Sequence, residues 1–257
     1  MEIGDWRENN MQALERIDRK KATLDARRPL SASAVAKLKE HYDVEWTYHS
    51  NAIEGSTLTL QETQVVLQHG LTVSGKPLRE HLEAINHKHA IDYVETLARE
   101  AGPSTERDIR QIHALVLRTI DDEEAGRYRR TQVLITGSAH VPPDPIAVPG
   151  LMGDLAAWIN GEAAKLHPVK HAALAHFRLV DIHPFIDGNG RTARLLMNLL
   201  LFRDGYPLAV IRAGDRLAYY EMLEKAHAGN TSPFVDFVGQ AVECSLDVYL
   251  AMTEVKS

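Results

Sequence analysis

Twelve residues near the middle of the chain, HPFIDGNGRTAR from position 183 to 194, combine side chains that can move a proton, hold a metal and bind an anion. Pro184 cannot continue a helix, and Gly188 and Gly190 permit backbone conformations that other residues resist, so a tight loop should feed a helix starting near Asn189. The free amides of such a helix start attract anions, and bare glycines let a phosphate come close to the backbone. Arg191 and Arg194 lie three apart, neighbours on one helix face at its positive end. Two guanidiniums there repel each other and the dipole, an arrangement that an anionic ligand, rather than the fold, would repay. His183 is an imidazole able to act as general base near neutral pH, and Asp187 is a hard oxygen ligand suited to Mg²⁺ beside a phosphate cradle. A lone Gly-Asn-Gly is a common turn and a lone His before Pro is usually structural. Together, within twelve residues, they point to chemistry on a phosphate ester.

A second oddity lies upstream, in SNAIEG from position 50 to 55. It reads as the last turn of a helix closed by Gly55, and it puts Glu54 at the carbonyl end, where an acid costs about 0.3–1 kcal/mol unless a cation answers it. The cation remains to be found.

The elements that must position these groups are mostly helical. Met11, Leu14, Ile17 and Leu24 recur at helical spacing before Pro29, and Val35, Leu38, Tyr42 and Trp46 share a face in the stretch that ends at Gly55. Thr59-x-x-Glu62 and Thr105-x-x-Asp108 are capping boxes, Pro77 opens a helix that Gly102 closes, and the last helix should have Ser232 as its cap and Pro233 at its first position. The exception is RRTQVLITGSAHVPPDP, where Val133, Leu134 and Ile135 run into Thr-Gly-Ser and then prolines, so a β-hairpin is expected. The fold class is therefore all-α with a small hairpin flap. We divide the chain into an N-terminal helical extension (1–30), the region of the SNAIEG helix (31–76) and a core (77–257).

Composition excludes several classes. The 257 residues carry 29 basic and 35 acidic side chains, a net charge of −6, so no electrostatic nucleic-acid binder is indicated. Cys244 is the single cysteine, no apolar signal core opens the chain, and no stretch approaches the roughly 20 apolar residues of a membrane span. A cytoplasmic location without membrane contact is expected. His167 and His171 share a helix face, but HPVKH lacks the glutamate of the His-Glu-x-x-His zinc motif, and capping or solvated histidines are the better reading.

The 183–194 stretch resembles the signature of the Fic family, His-x-Phe-x-Asp/Glu-Gly-Asn-Gly-Arg-x-x-Arg, without a mismatch. AIEG, TLTL, EAGRYRRTQV, HVPPDP, LHPV, AALAHF, GYP and YYEML follow the family's order, so the resemblance runs from about Tyr48 to Leu250. It is nearest to the animal members of the endoplasmic reticulum, although this chain leaves no room for their membrane anchor and tetratricopeptide repeats. The resemblance implies transfer of AMP from ATP to a Ser, Thr or Tyr hydroxyl of a target protein. His183 would be the base and Asp187 the ligand of Mg²⁺, or of Mn²⁺. Gly188, Asn189, Gly190, Arg191 and Arg194 would bind the phosphates, with Phe185 as packing anchor. Gly190, where the Doc-type kinases carry Lys, favours nucleotidyl over phosphoryl transfer. Tyr219 and Tyr220 fall where relatives contact adenine and ribose, although a core tyrosine pair reads equally well; His227 replaces a nucleotide-contacting Asn. Leu134, Ile135, Thr136, Gly137, Ser138, Ala139 and His140 would form the target-binding flap, pairing main chain with main chain. Leu78 falls near a dimer contact of relatives, which implies a homodimer.

The family also supplies a match for SNAIEG. Ser50, Glu54 and Gly55 match its inhibitory helix motif, in the intramolecular class II arrangement, which implies that Arg194 is the cation answering Glu54. Two rivals stand beside AMP transfer. The same site could mainly remove AMP, with Glu54 orienting water, or the chain could be a non-catalytic binding module, which a degenerate motif would support and an intact one does not.

Overall fold

The computed structural model describes residues 3–100 and 102–253, with side chains from Gln12 onward, so Met11 lies outside the described side chains. Ten α-helices are formed among these residues: α1 (Ile3–Asp25), α2 (Ala32–Ile53), α3 (Leu60–His69), α4 (Leu78–Arg99), α5 (Glu106–Leu117), α6 (Val148–Asn160), α7 (Pro168–Ile182), α8 (Asn189–Arg203), α9 (Arg216–His227) and α10 (Ser232–Met252). None is long and apolar enough to cross a membrane. No β-strand occurs among the described residues.

At the centre lies α8, whose side chains are buried on every face from Arg191 to Leu201. A helix buried all round must be wrapped by others, and α7, α4, α5 and α2 pack around it. Each leucine of its Leu195-Leu196 and Leu199-Leu200-Leu201 runs contributes about 1.5–3 kcal/mol by burial. The face α7 turns inward is Ala172, Ala173 and Ala175, all fully buried, small enough to let the two helices approach closely. That hairpin of α7 and α8 fixes both ends of the 183–188 loop.

Both capping boxes form, with Thr59 and Glu62 at α3 and Thr105 and Asp108 at α5 exchanging bonds reciprocally. The last helix begins at Ser232, with Thr231 as cap residue and no side-chain cap, so Ser232 does not play the capping part expected of it. Of the face expected on α2, Leu38, Tyr42 and Trp46 are buried, whereas Val35, in the first turn, is 50% exposed. Ile17 and Leu24 of α1 are buried in the same core as α8, against α10. His167 caps α7 through Nδ1, accepting from the Val169 amide, and its Nε2 meets Asp18 at 3.0 Å.

The expected β-hairpin is not formed. Residues 131–147 make a loop held by side chains: Arg129 donates to the carbonyls of Thr131 and Pro143 at 3.1 and 2.5 Å, and Gln132 donates to that of Pro142 at 2.8 Å. Pro142, Pro143 and Pro145 have no amide to offer a ladder, so the carbonyls that a partner strand would have bonded turn to side chains instead.

Candidate active site

The 183–188 loop starts with strain. His183 closes α7 in the left-handed region, φ 49°, where a non-glycine residue is costly by about 1–3 kcal/mol and must be held by its neighbours. Arg129 supplies one hold: 1% exposed, it donates through Nε to the His183 carbonyl at 2.8 Å, while its own amide donates to the Pro184 carbonyl at 2.9 Å. Asn189 supplies another, for its Oδ1 accepts from the Phe185 amide at 3.0 Å and its Nδ2 donates to the Phe185 carbonyl at 2.9 Å. With both ends of its amide committed and 4% exposure, Asn189 staples the loop.

Phe185 is fully buried and stacks on His113, ring centroids 3.6 Å apart. The His113 Nδ1 accepts from the Gly126 amide and its Nε2 donates to the Asp187 carbonyl, both at 2.9 Å, an assignment that the donor at Gly126 imposes. Burial pushes the His113 imidazole down to about 4, so it stays neutral and keeps that tautomer. Neither Arg129 nor His113 was singled out in the sequence. Both act through main-chain carbonyls, and a contact of that kind leaves no residue pattern to read.

His183 itself is pushed down to about 4, first by burial and then by the Arg129 guanidinium, despite the opposing Glu54 carboxylate. Near neutral pH it is an unprotonated base. Its Nδ1 is buried, which leaves Nε2 open to a substrate.

At the start of α8 the carboxylate of Asp187 takes the Gly188 amide at 2.6 Å, Arg79 at 2.8 Å and Arg191 at 3.3 Å. Burial would raise its pKa, but the charge of Arg191, the Gly188 amide and Arg79 together hold it below the usual carboxylate value. The side chain is half exposed, and so is that of Arg79. A single hard carboxylate open to solvent suits Mg²⁺, which keeps several waters and shares substrate phosphates, so the donor fits provided Arg79 swings away.

The two arginines expected to share one ligand face part company. Arg191 is buried and turns toward α4, 3.4 Å from Glu83 and 3.3 Å from Asp187. Arg194 turns toward α2. The repulsion inferred from spacing is therefore answered within the fold, because each guanidinium already has a carboxylate.

Arg194 is 2% exposed and donates through Nε to Ser50 Oγ at 3.0 Å, and through Nη2 to the Ser50 carbonyl at 2.8 Å and to Glu54 Oε1 at 2.6 Å. Burial would lower its pKa, but the Glu54 carboxylate raises it beyond its ordinary value. The acid at the carbonyl end of α2 thus meets the base near the amide end of α8, and each answers the other helix's dipole. Glu54 lies against Gly190, where any Cβ would collide with Oε1, so only glycine seats the carboxylate there. The turn after Glu54 is fixed from α4, because Glu80 accepts from the Thr57 and Leu58 amides at 2.8 and 3.1 Å. Gly55 follows at φ 104°.

A cavity of about 390 Å³ brings Glu54, His183 and Gly190 together with flap residues 135–138 and with Tyr219, Tyr220 and His227. Tyr219 is 2% exposed and lies 3.0 Å from His176 and 3.5 Å from Arg194, a core tyrosine whose hydroxyl supports the arginine. Tyr220 is 38% exposed, its hydroxyl donating to the Ile53 carbonyl at 3.4 Å. The flap end is anchored: Ser138 donates to Glu224, the Ala139 amide to the same carboxylate at 3.2 Å, and His140 Nε2 meets the Asp181 carbonyl at 2.8 Å. Leu134 is 81% exposed. His227 meets the Asp181 carboxylate at 2.9 Å. His140, Asp181 and His227 are close enough to be metal ligands, but the two imidazoles stack at 3.9 Å and 6°. Their lone pairs therefore run parallel instead of converging, which suits a hydrogen-bonded latch better than chelation.

The Fic/DOC family model matches residues 103–201. A protein adenylyltransferase Fic from Culex quinquefasciatus is 42% identical over 246 residues, 95% of this chain and 49% of that protein. The structure of Fic-1 from C. elegans aligns with a TM-score of 0.88 at 33% identity, covering 95% of this chain and 73% of that one. A Fic domain containing signaling protein from Bacteroides thetaiotaomicron aligns at 0.86 and 30% identity, over 93% of this chain and 97% of the other. The chain belongs to the Fic/DOC family, and its all-helical architecture is the fold of those structures. It spans about half the length of the curated relatives it matches.

Proposed function

We propose that this chain transfers AMP from ATP to a Ser, Thr or Tyr hydroxyl of a target protein, and that Glu54 holds the transfer in check. The observation that carries the reading is the Glu54–Arg194 pair at the edge of the cavity that His183 lines. In the transfer, His183 Nε2 takes the proton of the hydroxyl as its oxygen bonds to the α-phosphorus, and the bond from that phosphorus to the β-phosphate oxygen breaks to release pyrophosphate. The amides at the start of α8 face the phosphates. Mg²⁺ held by Asp187 would offset the charge that builds on them. Arg194 would hold the terminal phosphate, which it cannot do while Glu54 occupies its guanidinium. The anchored flap 134–140 would steady the target segment, and the exposed Tyr220 would meet the nucleoside. The curated relative from Culex quinquefasciatus carries the name protein adenylyltransferase, which supports the same reading.

The test is AMP transfer from α-labelled ATP with Mg²⁺ to proteins of a lysate. Replacing Glu54 by Gly frees Arg194 and should raise labelling at least tenfold, about 1.4 kcal/mol of barrier. No labelled protein from either wild type or Glu54→Gly would sink the transferase reading, and unchanged or lower labelling by a folded variant would sink the brake.

A second reading shares the site. Glu54 and His183 line one cavity, and only one Glu54 oxygen is tied to Arg194. The other can orient a water whose oxygen bonds to the phosphorus of the AMP–protein phosphodiester as the bond from that phosphorus to the side-chain oxygen breaks; the small protonated fraction of His183 gives its proton to the leaving oxygen, and the proton the water loses, taken up by Glu54, restores it. Release of AMP from a labelled target by wild type, lost in Glu54→Gly, is the expected sign of that reaction.

A further inference from the structure

His113 does more than fill space in the core. It is fully buried on α5, its ring stacks on Phe185 at 4°, and a Cβ at Gly188 would stand 3.4 Å from its Cδ2. The imidazole therefore lies along the chain from Phe185 to Gly188. Its two nitrogens have opposite parts. The Gly126 amide can only donate, so Nδ1 accepts from it, and Nε2 carries the proton that goes to the Asp187 carbonyl. Gly126 is held in turn, because its carbonyl accepts from Arg110 Nε at 2.8 Å. The ring can neither flip nor turn without losing a bond at each end.

A planar trans peptide points its carbonyl and its amide in opposite directions. Pinning the Asp187 carbonyl to His113 therefore turns the Gly188 amide away from α5, and there Asp187 Oδ1 accepts from it at 2.6 Å. The same oxygen takes Arg191 at 3.3 Å, whereas Oδ2 meets only Arg79 among the described residues. One carboxylate oxygen is thus engaged by the loop and the other is left outside it. Gly188, at φ 77°, has no Cβ to restrain this peptide. What restrains it is the proton on His113 Nε2.

We propose that His113 is a positioning residue for the Asp187 carboxylate: acting through the Asp187–Gly188 peptide, it keeps Oδ1 on the loop's own donors and Oδ2 available to a divalent cation. The inference rests on the metal-holding part given to Asp187 above. Partners that orient a ligating carboxylate are worth roughly 10–100-fold in metal affinity, and His113 acts one peptide further out, so about fivefold or more is expected of it.

NMR of the isotope-labelled full chain tests this. In wild type the ring nitrogens of His113 should report a proton on Nε2, and the Gly188 amide proton should lie downfield, as a short bond to a carboxylate requires. Two variants divide the contacts of the imidazole. Gln can place an amide donor where Nε2 lies, and Asn an acceptor where Nδ1 lies, while both give up the ring and its stacking. Thermal melting confirms that each is folded. The Gly188 proton should stay downfield in His113→Gln and move upfield in His113→Asn. Mn²⁺ added alone should broaden the Gly188 resonance in wild type. The concentration for half-broadening should rise about fivefold or more in His113→Asn and less than about twofold in His113→Gln. Equal changes in the two variants, as a purely space-filling ring predicts, overturn the proposal. So does a proton on Nδ1 in wild type, a result that needs neither variant to fold, and so does the absence of Mn²⁺ broadening at Gly188 in wild type. These readouts use neither ATP nor AMP transfer, so their failure is distinct from a failure of the transfer reading.

Discussion

Arg194 meets four acceptor groups on three residues, and they differ in what they can give up. Ser50 offers both a hydroxyl and a carbonyl, and Glu54 a carboxylate, while Tyr219 approaches at 3.5 Å. Replacing Ser50 by Ala removes only the Nε acceptor and leaves the charged pair in place. We expect it to lower stability by about 1 kcal/mol and to raise AMP transfer by a few fold, clearly less than Glu54→Gly. Chemical denaturation and labelling from α-labelled ATP measure the two effects, and a gain equal to that of Glu54→Gly would mean that the hydroxyl, and not the carboxylate, carries the brake. At this scale the sequence was informative about Glu54 and Arg194 because each is a charge at the wrong end of a helix. It was silent about Arg129 and His113, which work on carbonyl groups that every residue possesses. It was misleading about Arg191, whose partner Glu83 lies 108 positions away on α4 and could not be seen from spacing.

The brake depends on how the end of α2 is held as an element. Glu80, in the first turn of α4, accepts from the Ser56 hydroxyl and from the Thr57 and Leu58 amides, tying the turn that follows Glu54 to a neighbouring helix. Glu80→Ala leaves those amides to solvent and lets the α2 terminus fray. Hydrogen exchange of residues 54–58 should quicken at least tenfold, with AMP transfer rising toward the Glu54→Gly level; unchanged exchange would show that α2 is held from elsewhere. The flap makes the contrary point about legibility. Its apolar run and turn residues matched a hairpin, yet Pro142, Pro143 and Pro145 cannot donate to a ladder and the carbonyls of Thr131, Pro142 and Pro143 are taken by Arg129 and Gln132. Local propensity was overruled by two side chains whose reach could be known only in three dimensions.

For the whole molecule, α1 is part of the core. Leu24 is fully buried, so Leu24→Ala should cost about 2–5 kcal/mol in a denaturant titration, whereas breaking the surface pair of Arg16 and Glu243 should leave the midpoint nearly unchanged. A Leu24→Ala loss below 1 kcal/mol would indicate that α1 is dispensable to the fold. Stability should also depend on acid. His113 and His183 are both pushed by burial from 6.5 to about 4, so above pH 6.5 they are neutral folded or unfolded and contribute nothing. Between pH 6.5 and 4 the unfolded chain takes up protons that the folded one refuses, and stability falls as pH falls. Each shift is worth about 3 kcal/mol at most. The thermal midpoint should drop between pH 7 and 5, and a flat profile would contradict the buried, neutral state of these rings.

The sequence by itself determined the helices, their caps, the loop chemistry of positions 183–194 and the electrostatic misfit at Glu54, because periodicity, capping and helix dipoles are local. The family resemblance implied that Arg194 answers Glu54; the tertiary structure alone gave Arg191 its partner. Glu54 and Arg194 are 140 positions apart, and the wrapping of α2 and α4 around α8 gives Arg194 to Glu54 and Arg191 to Glu83. Pairings between distant residues depend on which helix faces meet, and that is set by how the whole core packs.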